Sequence, residues 1–416
     1  MIFFYNIFLV FYKTAITIAA NWNSKAKKWT EGRRNWQQQL SSAWKAQPGD
    51  SVVWMHCASL GEFEQGRPVL EKIKSQHSNV KILLTFFSPS GYEIRKNYSG
   101  ADYIMYLPFD SKSNAKIFLD IVQPKLAVFV KYEFWHYYLH ELNSRKTETI
   151  LISGIFRPTQ PFFKWWGSFN RKMLHNFSYL FVQNQFSKEL LDKIGLAEKT
   201  TVAGDTRFDR VITAANEWKP VEFIEQFCAG KKTMVAGSTW LNDEKILAEY
   251  FTENKNGQKL IIAPHEIKED NIKRLKELFP DAVLFSEAAV KEPTLGNYST
   301  LIINNIGYLS KLYKYGDVCY IGGGFNQSGH HNILEAAVFS KPVITGPNYQ
   351  KFKESVDLKK EGGSFCAENS IQLKEVMLSM NVEEAGKIAG NYVQQNGGAT
   401  ATILKWVQEK RLFTKA

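Results

Sequence analysis

The sequence predicts an α/β protein built as two domains, each with a parallel β-sheet at its centre. The chain has 416 residues, more than one hydrophobic core usually organises. Short apolar runs alternate with helical stretches on both sides of the middle, as expected of buried parallel strands joined by helices. Near the carboxyl end a strand, a glycine loop, a helix and another strand follow one another between Tyr320 and Pro347, the pattern of a βαβ crossover.

Apolar runs place the strands of each domain. In the first half we expect strands at 52–56, 81–87, 126–130, 149–152 and 180–182. In the second half we expect them at 233–236, 259–262, 301–303, 318–321 and 342–345. Pro220 interrupts a charged helical stretch, so the boundary is expected between Phe208 and Lys232. The expected division is 1–22 for an N-terminal helix, 23–212 for the first domain, 213–230 for a linker and 231–416 for the second domain, with the C-terminal helix able to pack back on the first.

The glycine loop has the composition of a nucleotide-phosphate site. Gly322, Gly323 and Gly324 let the backbone approach a ligand closely, and the polar run 328–332 leads into a helix with an apolar face. Such a helix aims free backbone N–H groups at the loop, where they bind phosphate. The alternative is a structural strand-to-helix turn whose histidines satisfy the helix end.

A second strand-to-helix turn, near the amino end, carries a carboxylate. Residues 52–56 form a buried strand, 58–61 a turn of small residues, and Glu62 begins a helix with Phe63, Val69 and Leu70 on its apolar side. The helix dipole stabilises an ionised carboxylate there by about 0.3 to 1 kcal/mol, which suits a proton acceptor at neutral pH. The alternative role of Glu62 is helix capping.

Six motifs follow one another along the chain. They are Trp54-Met55-His56-Cys57-Ala58-Ser59-Leu60-Gly61-Glu62, Lys131-Tyr132-Glu133-Phe134-Trp135, Val182-Gln183-Asn184, Gly204-Asp205-Thr206-Arg207-Phe208-Asp209, Gly237-Ser238-Thr239 and the run from Ser328 to Glu335. Their content and order resemble the 3-deoxy-D-manno-octulosonic acid (Kdo) transferases of lipopolysaccharide synthesis. The resemblance runs over nearly the whole chain.

The resemblance implies a glycosyltransferase type B fold, with an acceptor-binding and a donor-binding Rossmann-like domain facing each other across a cleft. It implies an inverting transfer of Kdo from CMP-Kdo to a lipid A precursor, lipid IVA, without a metal or other cofactor. The implied catalytic residues are Glu62, as general base, and Glu133, which either orients the acceptor or polarises its partner. The implied donor-binding residues are Arg207, Ser238, Gly329, His331, Asn332 and Glu335, and Ser59 and Gly61 are implied on the acceptor side.

Four positions depart from the family pattern. His330 replaces a glycine and takes a positive φ less cheaply. Lys131 replaces a glutamate, which makes its site less acidic. His265 only partly matches an expected arginine-histidine pair, and Asn304 stands where relatives often carry aspartate, so neither is given a role.

Charge and cysteine content restrict the partners. The formal charge is +11, but basic residues are scattered among acidic ones and no nucleic-acid-binding motif is present, so an anionic membrane face is expected rather than nucleic acid. The four cysteines are far apart and lack paired spacing, which predicts reduced thiols without zinc or disulfides.

The N-terminal segment predicts membrane association. Residues 1–20 are apolar apart from Lys13, and basic residues and tryptophans follow at Trp22, Lys25, Lys27, Lys28, Trp29, Arg33, Arg34 and Trp36. Spanning needs about 20 apolar residues, and a central lysine costs about 2.5 to 3.5 kcal/mol, so spanning and lying on the surface both remain open. A signal peptide is not expected, because no clear cleavage site precedes Trp22. The basic residues that follow the apolar segment predict that the catalytic domains lie in the cytoplasm, at the inner membrane.

An aromatic cluster at 156–166 is the last candidate. Flanked by Arg157, a candidate acceptor-binding residue, it is expected either to contact acyl chains and lipid phosphates or to pack as an ordinary helix end. Two other functions remain open: a transferase or epimerase that uses a UDP-sugar, and a catalytically silent scaffold for lipid A or nucleotide-sugars. The number of Kdo residues added, the acyl and phosphate groups of the acceptor, and the oligomeric state are left open.

Overall fold

The computed structural model describes residues 1–47, 50–253 and 257–413, and the chain divides into two compact units. The first unit comprises Met1–Arg210 and Gly397–Ala416, and the second comprises Val211–Asn396. Each unit is centred on a seven-stranded sheet in which neighbouring strands are parallel. The predicted class, α/β with two parallel-sheet domains, is confirmed.

The sheet of the first unit reverses its strand order at its centre. In chain order its strands are β1 (Ser51–Cys57), β2 (Val80–Phe86), β3 (Tyr103–Tyr106), β4 (Leu126–Val130), β5 (Glu148–Gly154), β6 (Tyr179–Val182) and β7 (Thr200–Val202). They lie in the order β3-β2-β1-β4-β5-β6-β7. Ligand sites of such sheets form where the order reverses, which here is the edge at the carboxyl ends of β1 and β4.

The helices of the first unit cover both faces of this sheet. They are α1 (Ile2–Ala19), α2 (Ser24–Glu31), α3 (Trp36–Ala43), α4 (Leu60–Gln76), α5 (Pro89–Arg95), α6 (Lys112–Val122), α7 (His136–Ser144), α8 (Ser168–His175) and α9 (Gln185–Asp192), with α10 (Thr206–Asn216) crossing into the second unit and α20 (Ala399–Glu409) closing the chain. Side chains alternate along β1, so that Val52 and Trp54 enter the core on one face while Val53 and Met55 enter the core on the other.

The second unit repeats the arrangement. Its strands are β8 (Thr233–Thr239), β9 (Lys259–Pro264), β10 (Ala282–Leu284), β11 (Thr300–Ile302), β12 (Val318–Ile321), β13 (Val343–Thr345) and β14 (Ser364–Cys366), in the order β10-β11-β9-β8-β12-β13-β14. Its helices are α11 (Ile224–Cys228), α12 (Leu241–Glu253), α13 (Glu269–Leu278), α14 (Ala288–Lys291), α15 (Leu309–Leu312), α16 (Leu334–Ala337), α17 (Lys353–Glu361), α18 (Ser370–Ser379) and α19 (Val382–Gln395). Here the order reverses between β8 and β12.

Helix α1 packs on the first unit by one face. The Tyr5 hydroxyl donates to the buried Asp110 carboxylate at 2.6 Å, Leu9 is buried, and the Tyr12 ring stacks on Phe87 and Phe109. Large apolar side chains on another face are exposed: Phe4, Phe8 and Phe11. Among the described residues α1 is the one helix long and apolar enough to cross a membrane.

Helix α20 belongs to the first unit although it follows the second in sequence. The Asp209 carboxylate accepts hydrogen bonds from the N–H groups of Gly398 and Thr400, both at 2.6 Å, and so caps the start of this helix. Ile403 and Val407 of α20 are buried in the same core cluster as Val53 and Met55.

The structure differs from the predicted elements in two ways. Four short strands, β3, β7, β10 and β14, were not predicted; each lies at an edge of its sheet and is only partly buried, so it lacks the continuous apolar run of a central strand. The range 213–230, predicted as a linker, holds the end of α10 and all of α11. Ile224 and Phe227 are fully buried, so this segment is part of the second unit rather than a tether.

Candidate active site

The carboxyl ends of β1 and β4 bring Glu62 and Glu133 to one edge of the first sheet. The two strands are parallel neighbours, with His56 opposite Phe129. The chain leaves β1 at Cys57 and enters α4, whose first turn holds Glu62. Glu133 follows β4 within three residues. Both carboxylates predicted as catalytic therefore lie at the point where the strand order reverses.

Glu62 combines a capping contact with an unusual protonation equilibrium. One of its carboxylate oxygens accepts a hydrogen bond from the backbone N–H of Ala58. The carboxylate also accepts from the backbone N–H of Ser59, the N-cap residue of α4, which is the capping role considered as an alternative. Burial and the neighbouring charge of Glu133 raise the pKa of Glu62 from 4.5 to about 7, although the hydrogen bond from Ala58 and the charge of Lys131 act in the opposite direction. With this pKa Glu62 is only partly ionised at pH 7, because burial outweighs the stabilising effect of the helix end.

Glu133 is held in a buried network. One oxygen, Oε2, lies 2.8 Å from His56 Nε2 and 2.7 Å from the Trp135 indole nitrogen, which donates to it. His56 Nδ1 lies 2.9 Å from Thr85 Oγ1 and 3.2 Å from the Thr85 carbonyl oxygen. The position and orientation of Glu133 are thus fixed on both sides.

An aromatic cavity of about 480 Å³ opens beside Glu133. Its wall includes Trp135, Phe162 and Phe169, and Asn170 adds a polar group. Cavities of this size with apolar walls and a few polar groups are typical small-ligand sites.

The predicted acceptor residues lie near this edge to different degrees. Ser59 is the N-cap residue of α4, but its side chain makes no capping bond. Gly61 is exposed, and a Cβ placed on it meets nothing within 4 Å. Packing therefore does not require glycine here, although glycine costs a helix about 1 kcal/mol relative to alanine. Arg157 is exposed, and its backbone N–H donates a hydrogen bond to Gln160 Oε1 at 2.9 Å. Its positive charge opposes the increase that burial causes in the pKa of Tyr132.

The aromatic segment 156–166 divides between the two predicted roles. Phe156 and Phe162 belong to the buried core, as the packing alternative predicts. Trp165 is 91% exposed and Trp166 46% exposed, so these two indoles are available for an external contact.

The glycine loop of the second unit is built differently from the prediction. Gly323 and Gly329 have φ of 89° and 85°, so the left-handed positions fall on glycines and His330 avoids the strain anticipated for it. A Cβ on Gly322 would lie 2.5 Å from the Ser238 carbonyl oxygen, and one on Gly324 would lie 2.5 Å from the Gly346 nitrogen. A side chain at either position would collide with neighbouring backbone, so glycine is required there by packing.

The helix after this loop is also shorter than predicted. It is the single turn Leu334–Ala337. The His331 N–H donates to the Gly322 carbonyl at 3.1 Å, and the Leu334 N–H donates to Asn332 Oδ1 at 3.2 Å. The N–H groups of His331 and Leu334, which were expected to face a phosphate, are thus engaged within the loop.

A buried carboxylate that the sequence reasoning missed supports the loop. Asp243, in the first turn of α12, accepts hydrogen bonds from the Gly323 N–H at 2.9 Å, the Trp240 N–H at 2.9 Å and the Tyr320 hydroxyl at 3.0 Å. Burial raises the pKa of Asp243. An acidic residue just after the Gly237-Ser238-Thr239 motif was a usable signal.

Three stacked rings stand at the carboxyl ends of β8, β9 and β12. The His265 ring lies 4.5 Å from the Trp240 ring and 4.5 Å from the His331 ring, with planes tilted by 23° and 26°. Burial and the neighbouring His265 and His330 lower the pKa of His331 to about 4, so its ring is neutral at pH 7. His265, which was left without a role, is thus a direct neighbour of a predicted donor residue.

The remaining predicted donor residues are distributed. Ser238 has a left-handed φ of 54° at the end of β8. Glu335 lines a separate cavity of about 210 Å³ with Trp218 and Lys311. Arg207 lies in the first unit, where its Nε donates to Asp205 at 2.8 Å.

Other unassigned polar residues have structural roles. His330 is buried, and its Nε2 lies 2.7 Å from Ser355 Oγ. Asn304 exchanges hydrogen bonds with Ser286. Across the described ranges no group of three or more His, Cys, Asp or Glu side chains is placed to hold a metal ion.

Comparison with solved structures defines the class of fold. UDP-GlcNAc 2-epimerase from Neisseria meningitidis, bound to UDP-GlcNAc, matches 86% of this chain over its own full length with a TM-score of 0.59 and 15% identity. Acinetobacter baumannii MurG matches 86% of this chain over 99% of its own length, with a TM-score of 0.51 and 10% identity. Two parallel-sheet domains of this kind are the glycosyltransferase type B fold, and at such identities the likeness shows the fold alone.

Sequence comparison finds similarity to one family. The model for 3-deoxy-D-manno-octulosonic-acid transferase (kdotransferase) matches residues 34–210. The 3-deoxy-D-manno-octulosonic acid transferase of Aquifex aeolicus is 27% identical over 83% of this chain and 92% of its own length, and that of Haemophilus influenzae is 23% identical over 86% of each. A bifunctional glycosyltransferase/methyltransferase from Fusobacterium nucleatum is 28% identical over 78% of this chain, which spans about half of that protein. Over most of its length this chain is therefore similar to the Kdo transferases, which are glycosyltransferases of lipopolysaccharide synthesis.

Proposed function

We propose that this chain transfers Kdo from CMP-Kdo to lipid IVA by an inverting single displacement, with Glu62 as general base. The observation that carries the proposal is the pair of carboxylates at the reversal point of the first sheet. Glu62 has a pKa of about 7, and Glu133 is locked beside it by His56 and Trp135. A base whose pKa lies near the working pH is well matched to proton transfer.

In the proposed reaction an acceptor hydroxyl attacks the anomeric carbon of Kdo as the bond to the phosphate oxygen of CMP breaks. Glu62, in its carboxylate form, takes the hydroxyl proton. The electron pair of the broken bond leaves with CMP. Such general-base catalysis contributes about 10²- to 10⁴-fold. In this proposal Glu133, whose Oε2 is engaged by His56 and Trp135, acts by setting the charge that Glu62 experiences.

The first unit offers the features that an amphipathic acceptor requires. The open space over Gly61 admits a substrate close to Glu62. The aromatic cavity beside Glu133 suits the apolar faces of a lipid-linked sugar. We include Ser59 and Arg157 among the acceptor contacts, because Ser59 precedes α4 with its hydroxyl unused in capping and Arg157 carries an exposed cation.

The second unit is the proposed donor site. Ser238 lies in the last residues of β8, and Gly329, His331 and Asn332 follow β12. The two strands are neighbours at the reversal point of that sheet. We also keep Glu335, and Arg207 with its guanidinium oriented by Asp205, as donor contacts. The reaction is proposed to need no metal, since the leaving group is a phosphate monoester anion.

We further propose that α1 lies on the cytoplasmic face of the inner membrane. Tyr5, Leu9 and Tyr12 occupy one face in contacts with the first unit, whereas a helix that spans a bilayer would give up these contacts. Phe8 and Phe11 remain exposed, and their burial at the interface would follow.

Mass spectrometry of the lipid product tests the proposal. Detergent-held protein is supplied with lipid IVA and with CMP-Kdo generated in the same vessel. We expect a Kdo mass increment that Glu62→Gln reduces by about 10²-fold or more. Glu71→Gln, the same change on the exposed side of α4, should retain full activity. Absence of any increment, or an increment only with a UDP-sugar, refutes the reaction; undiminished transfer by Glu62→Gln refutes the base.

A further inference from the structure

A groove of about 680 Å³ runs along α1 in the first unit. One wall is a stripe of α1 that includes Asn6, Val10, Lys13 and Thr17, residues spaced by three or four along the chain. The opposite wall is the segment 109–114 that leads into α6. This stripe borders the packed face of α1, because Leu9 also lines the groove and Asn6 accepts a hydrogen bond from the Tyr137 hydroxyl at 2.7 Å. Val10 and Ile18 line the groove too, and both side chains are exposed. The groove is therefore continuous with the part of α1 that faces the membrane in the arrangement proposed above.

The groove carries two cations and no available anion. Lys13 and Lys112 line it from opposite walls, and neither amine has an ion pair among the described residues. Asp110, the one carboxylate in the lining, is buried and accepts from the Tyr5 hydroxyl at 2.6 Å and from the Tyr137 and Tyr138 N–H groups at 3.1 and 3.2 Å. Its charge is committed to anchoring α1 rather than to neutralising the lysines.

The walls combine these cations with apolar surface. Leu9, Val10, Ile18 and Phe109 contribute hydrocarbon, and Thr14 and Asn114 contribute neutral polar groups. A free phosphate would gain nothing from the hydrocarbon, and a neutral fatty chain would gain nothing from the lysines. A molecule with an anionic head and an acyl chain uses both.

We propose that this groove binds one anionic glycerophospholipid of the bilayer, with its phosphate between Lys13 and Lys112 and an acyl chain along the apolar wall. The proposal depends on the membrane contact of α1 and not on Kdo transfer. It assigns a resident lipid that stabilises α1 on the first unit. Basic residues near an anionic head group contribute about 1 kcal/mol each, so the two lysines together account for about 30-fold in affinity.

Native mass spectrometry of the full-length, detergent-held protein tests this site. Phosphatidylglycerol and phosphatidylcholine with the same acyl chains are titrated separately, and bound lipids are counted. We expect one phosphatidylglycerol that is retained about 30-fold more tightly by the unaltered chain than by Lys13→Gln with Lys112→Gln. Lys25→Gln with Lys116→Gln removes the same charge from exposed positions outside the lining and should change retention less than 3-fold.

A steric variant separates the groove from surface charge. Thr14→Trp fills the groove from α1 without changing charge, and we expect it to abolish the retained lipid while circular dichroism shows an intact fold. Equal retention of the two lipids, equal loss in the control pair, or retention by Thr14→Trp overturns the proposal. Displacement of phosphatidylglycerol by an equimolar amount of lipid IVA also overturns it, because the occupant would then be the acceptor.

Discussion

Replacing Glu133 by glutamine should move the acid limb of the pH-rate profile to lower pH. Glutamine keeps the shape of the side chain and can still accept from Trp135, but it removes the like charge that raises the pKa of Glu62. If Glu62 acts as the base, the rate falls as Glu62 becomes protonated. The pH at which this fall occurs reports the pKa of Glu62 in the free enzyme when kcat/KM is measured.

The expected shift of the acid limb in Glu133→Gln follows from the causes that raise the pKa of Glu62. Burial is the larger cause and remains in Glu133→Gln, so we take the lower end of the effect of a nearby charge, a decrease of about 1. With a pKa of about 7, about 9% of Glu62 is ionised at pH 6; with a pKa of about 6, about 50% is ionised. The rate at pH 6, relative to the plateau at high pH, should therefore rise about fivefold even if the plateau itself falls.

Initial rates of CMP release, measured from pH 5 to pH 9 with CMP-Kdo regenerated continuously, give this profile. Glu141→Gln removes a carboxylate from α7 whose partner is Arg145 and serves as the charge-matched control, with an unchanged acid limb expected. An acid limb that stays in place in Glu133→Gln would refute the electrostatic link between the two carboxylates. A limb absent from both variants would show that a different group controls the rate.

Four further outcomes are expected. Gly61→Ala should raise the free energy of unfolding by about 0.5 to 1 kcal/mol and yet raise KM for lipid IVA, as titration of each substrate would show, because only an incoming ligand needs the space over that position. Glu62→Gln should increase the free energy of unfolding at pH 8 by up to about 3 kcal/mol and leave it unchanged at pH 4, as thermal unfolding at the two pH values would show. The reason is that folding raises the pKa of Glu62 from 4.5 to about 7, so ionisation of Glu62 destabilises the folded state as the pH rises through that interval. Asp243→Asn should lower the unfolding free energy by about 1 to 3 kcal/mol and weaken CMP-Kdo binding in calorimetry while lipid IVA binding is retained, because an amide cannot accept from all three of its donors. Phe8→Ser with Phe11→Ser should reduce sedimentation with anionic vesicles without lowering the melting temperature, since both rings are exposed.

The sequence was sufficient for the parts of the fold that rest on long apolar runs. β1, β4 and β12 fall where predicted, and Leu126–Val130 and Val318–Ile321 agree to the residue. A buried parallel strand leaves a continuous apolar signal, so its position is readable locally. The edge strands β7 and β14 have only three residues each and depend on neighbours for their pairing.

The candidate site was only partly readable because its chemistry depends on contacts between distant segments. Glu62 could be located, but its raised pKa arises from burial and from Glu133, 71 positions away in sequence. The role of Asp243 depends on its reaching Gly323, and the glycines of that loop serve neighbouring backbone that a linear pattern does not reveal. The sequence identified the candidate residues, but their roles depend on tertiary contacts that only the structure shows.

The return of α20 to the first unit sets an order of events during synthesis. Ile403 and Val407 fill the core beside β1, and Asp209 accepts hydrogen bonds from the N–H groups of Gly398 and Thr400, which are synthesised much later than Asp209 itself. The ribosome must therefore make the second unit, about 190 residues, before the first can close. At about 5 to 20 residues per second this interval lasts about 10 to 40 s. During that time the apolar helix α1 is already outside the ribosome, so the nascent chain can reach the membrane before its first domain is complete.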